Sequence, residues 1–214
     1  MRHWNSRLRA RILLAVTAAL LCAVLVSGML LGDRALETDF ARKNWMPCAD
    51  FIFGTDWMGR DMLARTLAGL SLSIRIGALT AVVSAVIALL LGVAAATLGP
   101  KVDAVISWCI DLVMGIPHIL LVMLISLAFG QGFVGVVAGV SLSHWPSLSR
   151  VIRGEVIQLR QAAYVRTARK LGVSRGRIIR RHLLPHLLPQ FLTGLILQFP
   201  HAILHEASVT FLGF

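Results

Sequence analysis

Apolar runs of membrane-spanning length, parted by short polar or glycine-rich breaks, make up most of this chain. Residues 12–31 carry no charge over twenty positions. At 1.5 Å per residue such a run covers a hydrocarbon core of about 30 Å, so it predicts a first transmembrane helix. A cleaved signal peptide is the rival, because Val26-Ser27-Gly28 is a small-residue patch. The run exceeds the usual apolar core of a signal, which favours a retained anchor. Four further spans are predicted at 71–98, 102–129, 133–148 and 187–207, with Gly99-Pro100-Lys101 and Gly130-Gln131-Gly132 as turns. The second is long enough to tilt. Its Arg75 either snorkels to the interface or faces a pore. Pro117 interrupts the third, and Asp111 within it predicts pairing inside the bundle near the inner surface, since an unpaired charge there is costly. Gly135 and Gly139 bring the fourth span close to a neighbour, and Trp145 is expected as an interface anchor. Residues 151–163 predict a separate helix after that span.

Two polar stretches break the apolar rhythm. Within 32–70, Phe53-Gly54-Thr55-Asp56-Trp57-Met58-Gly59-Arg60-Asp61 sets Asp56 and Asp61 about Arg60, with two glycines that permit turns. A local ion-pair and capping cluster is the plain reading; contact with a delivering protein is the sharper one. The next helix is expected to start near Asp61, with Leu63, Leu67 and Leu70 on one face. The second stretch, 164–185, reads YVRTARKLGVSRGRIIRRHLLP. It predicts two short amphipathic helices meeting at Gly172-Val173-Ser174. Gly172 follows the first as its C′ residue and Ser174 caps the second. Pro185 stops that second helix or opens the next. Ala168, Leu171 and Gly172 on one side, with Ile178, Ile179 and Leu183 on the other, would pack into a knob with a basic exterior.

Charge fixes the orientation of this pattern. The 214 residues are 57% hydrophobic with a formal net charge of +11 and a mean hydropathy of +0.79. A soluble globular domain is excluded. Four Lys/Arg and no acid fall in 1–11, and ten Lys/Arg with Glu155 alone fall in 150–181, whereas 32–71 holds five basic and six acidic residues. By the positive-inside rule the N-terminus and the 150–186 loop are cytoplasmic and 32–70 lies outside. Nucleic acid is not an expected partner, since the basic loop offers only Tyr164 for stacking. Cys22, Cys48 and Cys109 suit neither a disulfide set nor a metal site.

The pattern Tyr-Val-x-x-Ala-Arg-x-Leu-Gly-x-Ser at 164–174, followed by Arg-His-x-Leu-Pro at 181–185, resembles the cytoplasmic "EAA" loop of ABC-importer permeases. The likeness is to the oligopeptide, dipeptide and nickel branch. Here the motif's Glu-Ala-Ala falls on Arg166-Thr167-Ala168, and His186 stands where an Asn often follows. The element at 53–61 resembles the branch's GTDxxGRD segment, and Asp103, Asp111 and Pro117 fit it too. The resemblance implies an all-α, polytopic membrane bundle of the type I ABC-importer kind. Five transmembrane helices are seen, and a sixth is expected from the family, so the chain looks incomplete or naturally short. The organisation would be a basic cytoplasmic head over 1–11, an anchor over 12–31, an outer segment over 32–70 and a permease core over 71–214. The coupling loop, at about 150–186, would present Tyr164, Arg166, Ala168, Leu171, Gly172, Val173, Ser174 and Pro185 to an ATPase. Implied partners are a homologous permease subunit, two ABC ATPase subunits, an extracytoplasmic binding protein and the bilayer of the cell inner membrane.

His201 and His205 lie four apart, hence on one face of a helix, with Glu206 beside them. Two histidines so spaced are a workable metal pair, or else they are hydrogen-bonded bundle residues. Nickel-importing members of the branch resemble this placement, which makes His201, His205 and Glu206 candidates for the substrate path. Cargo is thus a peptide, nickel or a metal chelate. The chain has no P-loop, so no cofactor of its own is expected and ATP would be bound by partner subunits. Zinc-hydrolase and nucleophile-elbow motifs are missing too, which leaves Ser143-His144 as the one nearby pair for an intramembrane hydrolase. An ion channel or secondary transporter is the other rival, though such proteins carry more charge along their spans.

Overall fold

The computed structural model describes residues 6–213. Residues 1–5 of the expected basic head and Phe214, where the resembling stretch ends, lie outside the described residues. Two compact units divide the chain, one through Arg75 and one from Ile76. Among the described residues every regular element is helical and the sole bridge is Thr55 with Asp61.

In the first unit, α1 (Ser6–Leu30) is apolar on all sides from Ile12 onward and mostly exposed, as suits a helix bathed in lipid. It is packed near its end, where Gly28 lies against Leu67 and Ser71, and Ser71 Oγ donates to the Leu25 carbonyl at 3.3 Å. A short helix, α2 (Gly32–Leu36), follows. The next loop is organised by Asp56, whose carboxylate accepts from the Met58 and Arg60 amides at 2.9 and 3.0 Å and from Arg60 Nε at 2.8 Å. The Asp56 carboxyl works against desolvation, but these hydrogen bonds and the Arg60 charge hold it down at about 2. Asp61 Oδ1 accepts from the Leu63 and Ala64 amides and so caps α3 (Met62–Thr97), while its other oxygen meets Arg34 Nε at 3.2 Å. The capping cluster expected at 53–61 is therefore present, with Arg34 and Arg65 added to it. Arg75 Nε reaches the Ser71 carbonyl one turn back on its own helix, at 3.3 Å.

In the second unit, α3 runs on to Thr97 and Gly99 turns the chain at φ +111° into α4 (Pro100–Gly115). Proline at N1 suits this start. At Ile116-Pro117 the path bends by 102° into α5 (His118–Phe129), since Pro117 cannot donate to the helical ladder. The third span is thus broken at the expected proline. Gly130 and Gly132, both left-handed, turn the chain into α6 (Phe133–Gln161). Helix α6 lies tightly on α5: a Cβ at Gly139 would strike the Val122 carbonyl and Ser126 Oγ, and one at Gly135 the Ser126 and Gly130 carbonyls.

Helix α6 departs from expectation in two ways. It continues through Pro146 as one helix of 29 residues, so no separate helix begins at 151. Its apolar first half passes into a polar second half, and among the described residues three helices are long and apolar enough to cross a membrane, or four counting the bent α4–α5 pair. Trp145 is 7% exposed, packed among Ile110, Leu148 and Ile152 instead of anchoring at an interface. Its neighbours Pro146 and Leu148 are buried too, so burial continues past the point where the apolar run ends.

Charge pairs join α4 to α6. Arg153 grips both oxygens of Asp103 at 2.5 Å, and Asp111 finds a partner in Arg150, but that pair is exposed and not inside the bundle as expected. Two apolar clusters fill this unit, one about Ile110, Ile152 and Leu187 and the other about Val122, Val140 and Val209.

After α7 (Ala163–Lys170) the chain turns into α8 (Arg175–Ile178), a π turn over Ile179–Leu183 and α9 (Leu184–Phe211). The second helix of the expected knob is therefore not short. Pro185 falls in the first turn of α9, and the helical path from Arg175 to Phe211 is 37 residues long. Ser174 precedes α8 with extended geometry but makes no side-chain cap, correcting that expectation.

Candidate functional site

The second unit holds a cavity of about 490 Å³ walled by α6, α9 and the broken α4–α5 pair. On α9 the lining positions 190, 193, 194, 197, 198, 201 and 205 recur with helical period, so one continuous face looks inward. Gly194 lets that face approach Leu148 of α6. Among the described residues no acidic side chain lines this space.

Three imidazoles meet at its wall. His118 opens α5 directly after the proline break, His144 lies midway along α6 and His205 comes from α9. Their ring centroids stand 4.4, 4.6 and 5.0 Å apart at steep angles, and one nitrogen from each lies within 4.8 Å of the others. His144 Nδ1 lies 2.9 Å from the Val140 carbonyl. A carbonyl only accepts, so Nδ1 bears the proton and Nε2 is left with its lone pair. His118 Nε2 is buried without a hydrogen-bond partner, as is Gln198 Oε1 on the same wall.

That tautomer also decides the Ser143-His144 pair. Ser143 Oγ lies 3.2 Å from the same Nδ1 and 3.1 Å from the Val140 carbonyl. A protonated Nδ1 held by a carbonyl cannot take the serine proton, so the geometry is that of a helix back-bond and not of an activated nucleophile.

The turn at Gly172-Val173-Ser174 is the second feature. The Val173 amide donates to the Ala168 carbonyl and the Gly172 amide to the Arg169 carbonyl, both at 3.1 Å. This pair of bonds is the Schellman closure, which needs a left-handed residue at C′; Gly172 supplies it at φ +79°. Leu171 is 78% exposed at the tip, so it does not pack into the knob as expected. Val165, Ile178 and Leu183 do, with Ala168 and Val173 half-buried. Tyr164, Arg166 and Pro185 are exposed, and the Tyr164 ring is 6.0 Å from that of His182. Beneath the turn a smaller cavity of about 250 Å³ is lined by Arg160, Arg169 and Arg175 over an apolar floor.

The residues expected along a substrate path separate. His201 and His205 both line the large cavity, but it is His205 that joins the imidazole cluster, while His201 is exposed. Glu206 is 4% exposed and does not line the cavity. One residue on from His205 is a rotation of about 100°, which turns Glu206 with Ala202 and Val209 onto the packed face of α9. There its Oε1 accepts from Thr210, and Oε2 has no partner. His118 was not singled out from the sequence, and His144 was named only as the partner of Ser143. Histidines are rare within apolar spans, and that rarity is the signal that marks them.

Comparisons with known proteins agree with this architecture. Residues 88–214 match the family described as binding-protein-dependent transport system inner membrane component. A dipeptide transport system permease protein of Bacillus subtilis (strain 168) is 30% identical over 178 residues, covering 83% of this chain and 56% of that protein. A candidate peptide transport system permease protein of Brucella abortus biovar 1 (strain 9-941) is 36% identical over 213 residues, covering 100% of this chain and 70% of its own length. The chain thus spans about half to two thirds of the relatives it matches. A family match over more than half the residues, on a helical bundle with membrane-length apolar helices, makes this chain a member of the binding-protein-dependent transport system inner membrane component family.

Proposed function

We propose that this chain is the membrane-spanning permease subunit of an ATP-driven importer whose cargo is a short peptide. The relatives' names support the cargo class. The observation that carries the reading is the coupling turn: Leu171 stands exposed at the tip of a cationic loop, backed by a rigid Schellman closure. An apolar tip with a basic surround is built to seat in a partner's groove. Two ABC ATPase subunits would take such turns, one from this chain and one from a homologous permease. A binding protein outside the cell membrane would deliver cargo, and the spans would rock between inward- and outward-open states. The bilayer would be the inner membrane, with the N-terminus cytoplasmic. The chain itself would perform no hydrolysis and bind no ATP.

Uptake of a labelled dipeptide by cells carrying the chain with its native partners tests this. Leu171→Asp changes an exposed side chain and leaves the turn intact; Gly172→Asp strains the turn as well. Both are expected to abolish uptake while the subunit stays in the membrane, and unchanged uptake in Leu171→Asp would refute the docking role. A metal-bearing cargo, nickel or a metal chelate, is the second reading, favoured by the imidazoles on the cavity wall. Nickel uptake measured beside peptide uptake separates the two.

A further inference from the structure

We infer that His118, His144 and His205 form a binding site for a borderline divalent metal ion of the zinc or nickel class, with its fourth position open to the cavity. Three neutral imidazoles are a donor set such ions accept, and three protein ligands with one free position define an open site. Every element needed is present. His144 donates Nδ1–H to the Val140 carbonyl, which fixes the ring and leaves Nε2 for a metal; a backbone carbonyl behind a histidine ligand is the usual outer support. His118 brings a buried Nε2 with no partner, an arrangement that costs stability if nothing fills it. Edge-to-face ring packing alone would leave that cost standing, whereas an ion removes it.

The fit requires only small movement. Nitrogens about 2.1 Å from a tetrahedral ion stand about 3.4 Å apart. The three nitrogens now lie within 4.8 Å of one another, so modest ring rotations close the set. Three separate helical elements supply them, and the α4–α5 break at Pro117 is what swings His118 in.

Charge defines the fourth ligand. A dication on three neutral donors is uncompensated, and among the described residues no carboxylate lines the space. The missing anionic donor is supplied by hydroxide from a bound water or, in its place, by a visiting molecule. A small carboxylate-bearing chelator, including a peptide terminus, has the required chemistry. The site stands on its own geometry, whether or not the chain imports peptides.

Binding of cobalt(II) to the purified full chain, carried on a tag without histidine, is the direct test. One equivalent is expected to bind with the visible absorption of a tetrahedral ion, and added glycylglycine is expected to shift that spectrum. His118→Gln and His205→Gln keep side-chain bulk and helix propensity. Each should weaken binding roughly tenfold or more, since even outer-support losses reach that range. His186→Ala, outside the cavity, controls for stray sites. No saturable binding at one equivalent, or parent-like affinity in His118→Gln, would overturn the assignment. So would a greater loss from His201→Ala than from His118→Gln, which would return the ion to the helical pair. Dipeptide uptake, read separately in cells, reports on the import reading and leaves this outcome independent.

Discussion

Asp56 shows how much a single side chain can hold. Its carboxylate binds two amides, the Arg60 guanidinium and, at 3.4 Å, Arg65, tying down the loop that leads into α3. Its depressed pKa, about 2 against 3.8, gives the sign of the pH effect. The stabilisation is fully present above the ordinary carboxylate value and is lost as pH falls through the folded value, so the window runs from about pH 4 down to about 2. Amide hydrogen exchange at Met58 and Arg60 should accelerate across that window relative to neighbouring amides. In Asp56→Ala, which removes the acceptor, the same amides should exchange fast already at neutral pH, and equal protection in both proteins would count against the tether. Features of this kind were legible in the sequence because they are local: Asp61 caps a helix two residues on, and Gly172 closes one that ends beside it. The imidazole cluster was not legible. His118, His144 and His205 are separated by whole helices and meet only through packing, and a spacing of four made His201 the obvious partner for His205. Such a pair shares a helix face, but that alone does not converge two rings on one point.

At the level of helices, α5 and α6 are joined by absence of side chain and α4 and α6 by charge. Gly139→Leu should push α6 off the Val122 carbonyl and destabilise the detergent-solubilised protein by about 1–3 kcal/mol in thermal or chemical unfolding. Gly154→Leu, on α6 with open space around it, should cost little. The Asp103–Arg153 pair is partly exposed, so a double-mutant cycle should give a coupling of about 1 kcal/mol or less. Exchanging the two residues should recover most of it. The Gly135–Gly139 approach was readable from its spacing, since small residues four apart make a groove. The arginine partners of Asp103 and Asp111 were not, because they lie 50 and 39 residues away. The length of α6 was misjudged for a related reason: Pro146 and the polar residues after it look like an end, yet surrounding helices bury the segment and the helix runs through.

For the molecule as a whole, orientation in the membrane is the open quantity that charge determines. Cys48 is exposed in the 32–70 segment, which the positive-inside rule would put outside. With Cys22 and Cys109 replaced by Ala, a membrane-impermeant maleimide should label it in intact cells. A cysteine introduced at Arg166 should react only after permeabilisation. Labelling of both from the same side would contradict the positive-inside reading. The family resemblance was plain from the sequence, but of five expected spans three, or four counting the bent α4–α5 pair, are long and apolar enough to cross among the described residues. What makes a path, the single face of α9 that looks into the cavity, depends on which neighbours pack on the other faces.

One geometric detail has mechanical weight. The path from Arg175 to Phe211 is a continuous rod, and Arg175 to His205 along it measures about 45 Å at 1.5 Å per residue. One end leaves the Gly172 turn, and the far part carries the imidazole of His205. The π turn at Ile179–Leu183 holds one residue more than an α-helical turn would. Regularising it would twist one end of the rod against the other by about 100°, one residue's worth of rotation. A torque applied at the turn would then be read at the cavity as a swing of the α9 lining face, with no need for the rod to shift along its axis.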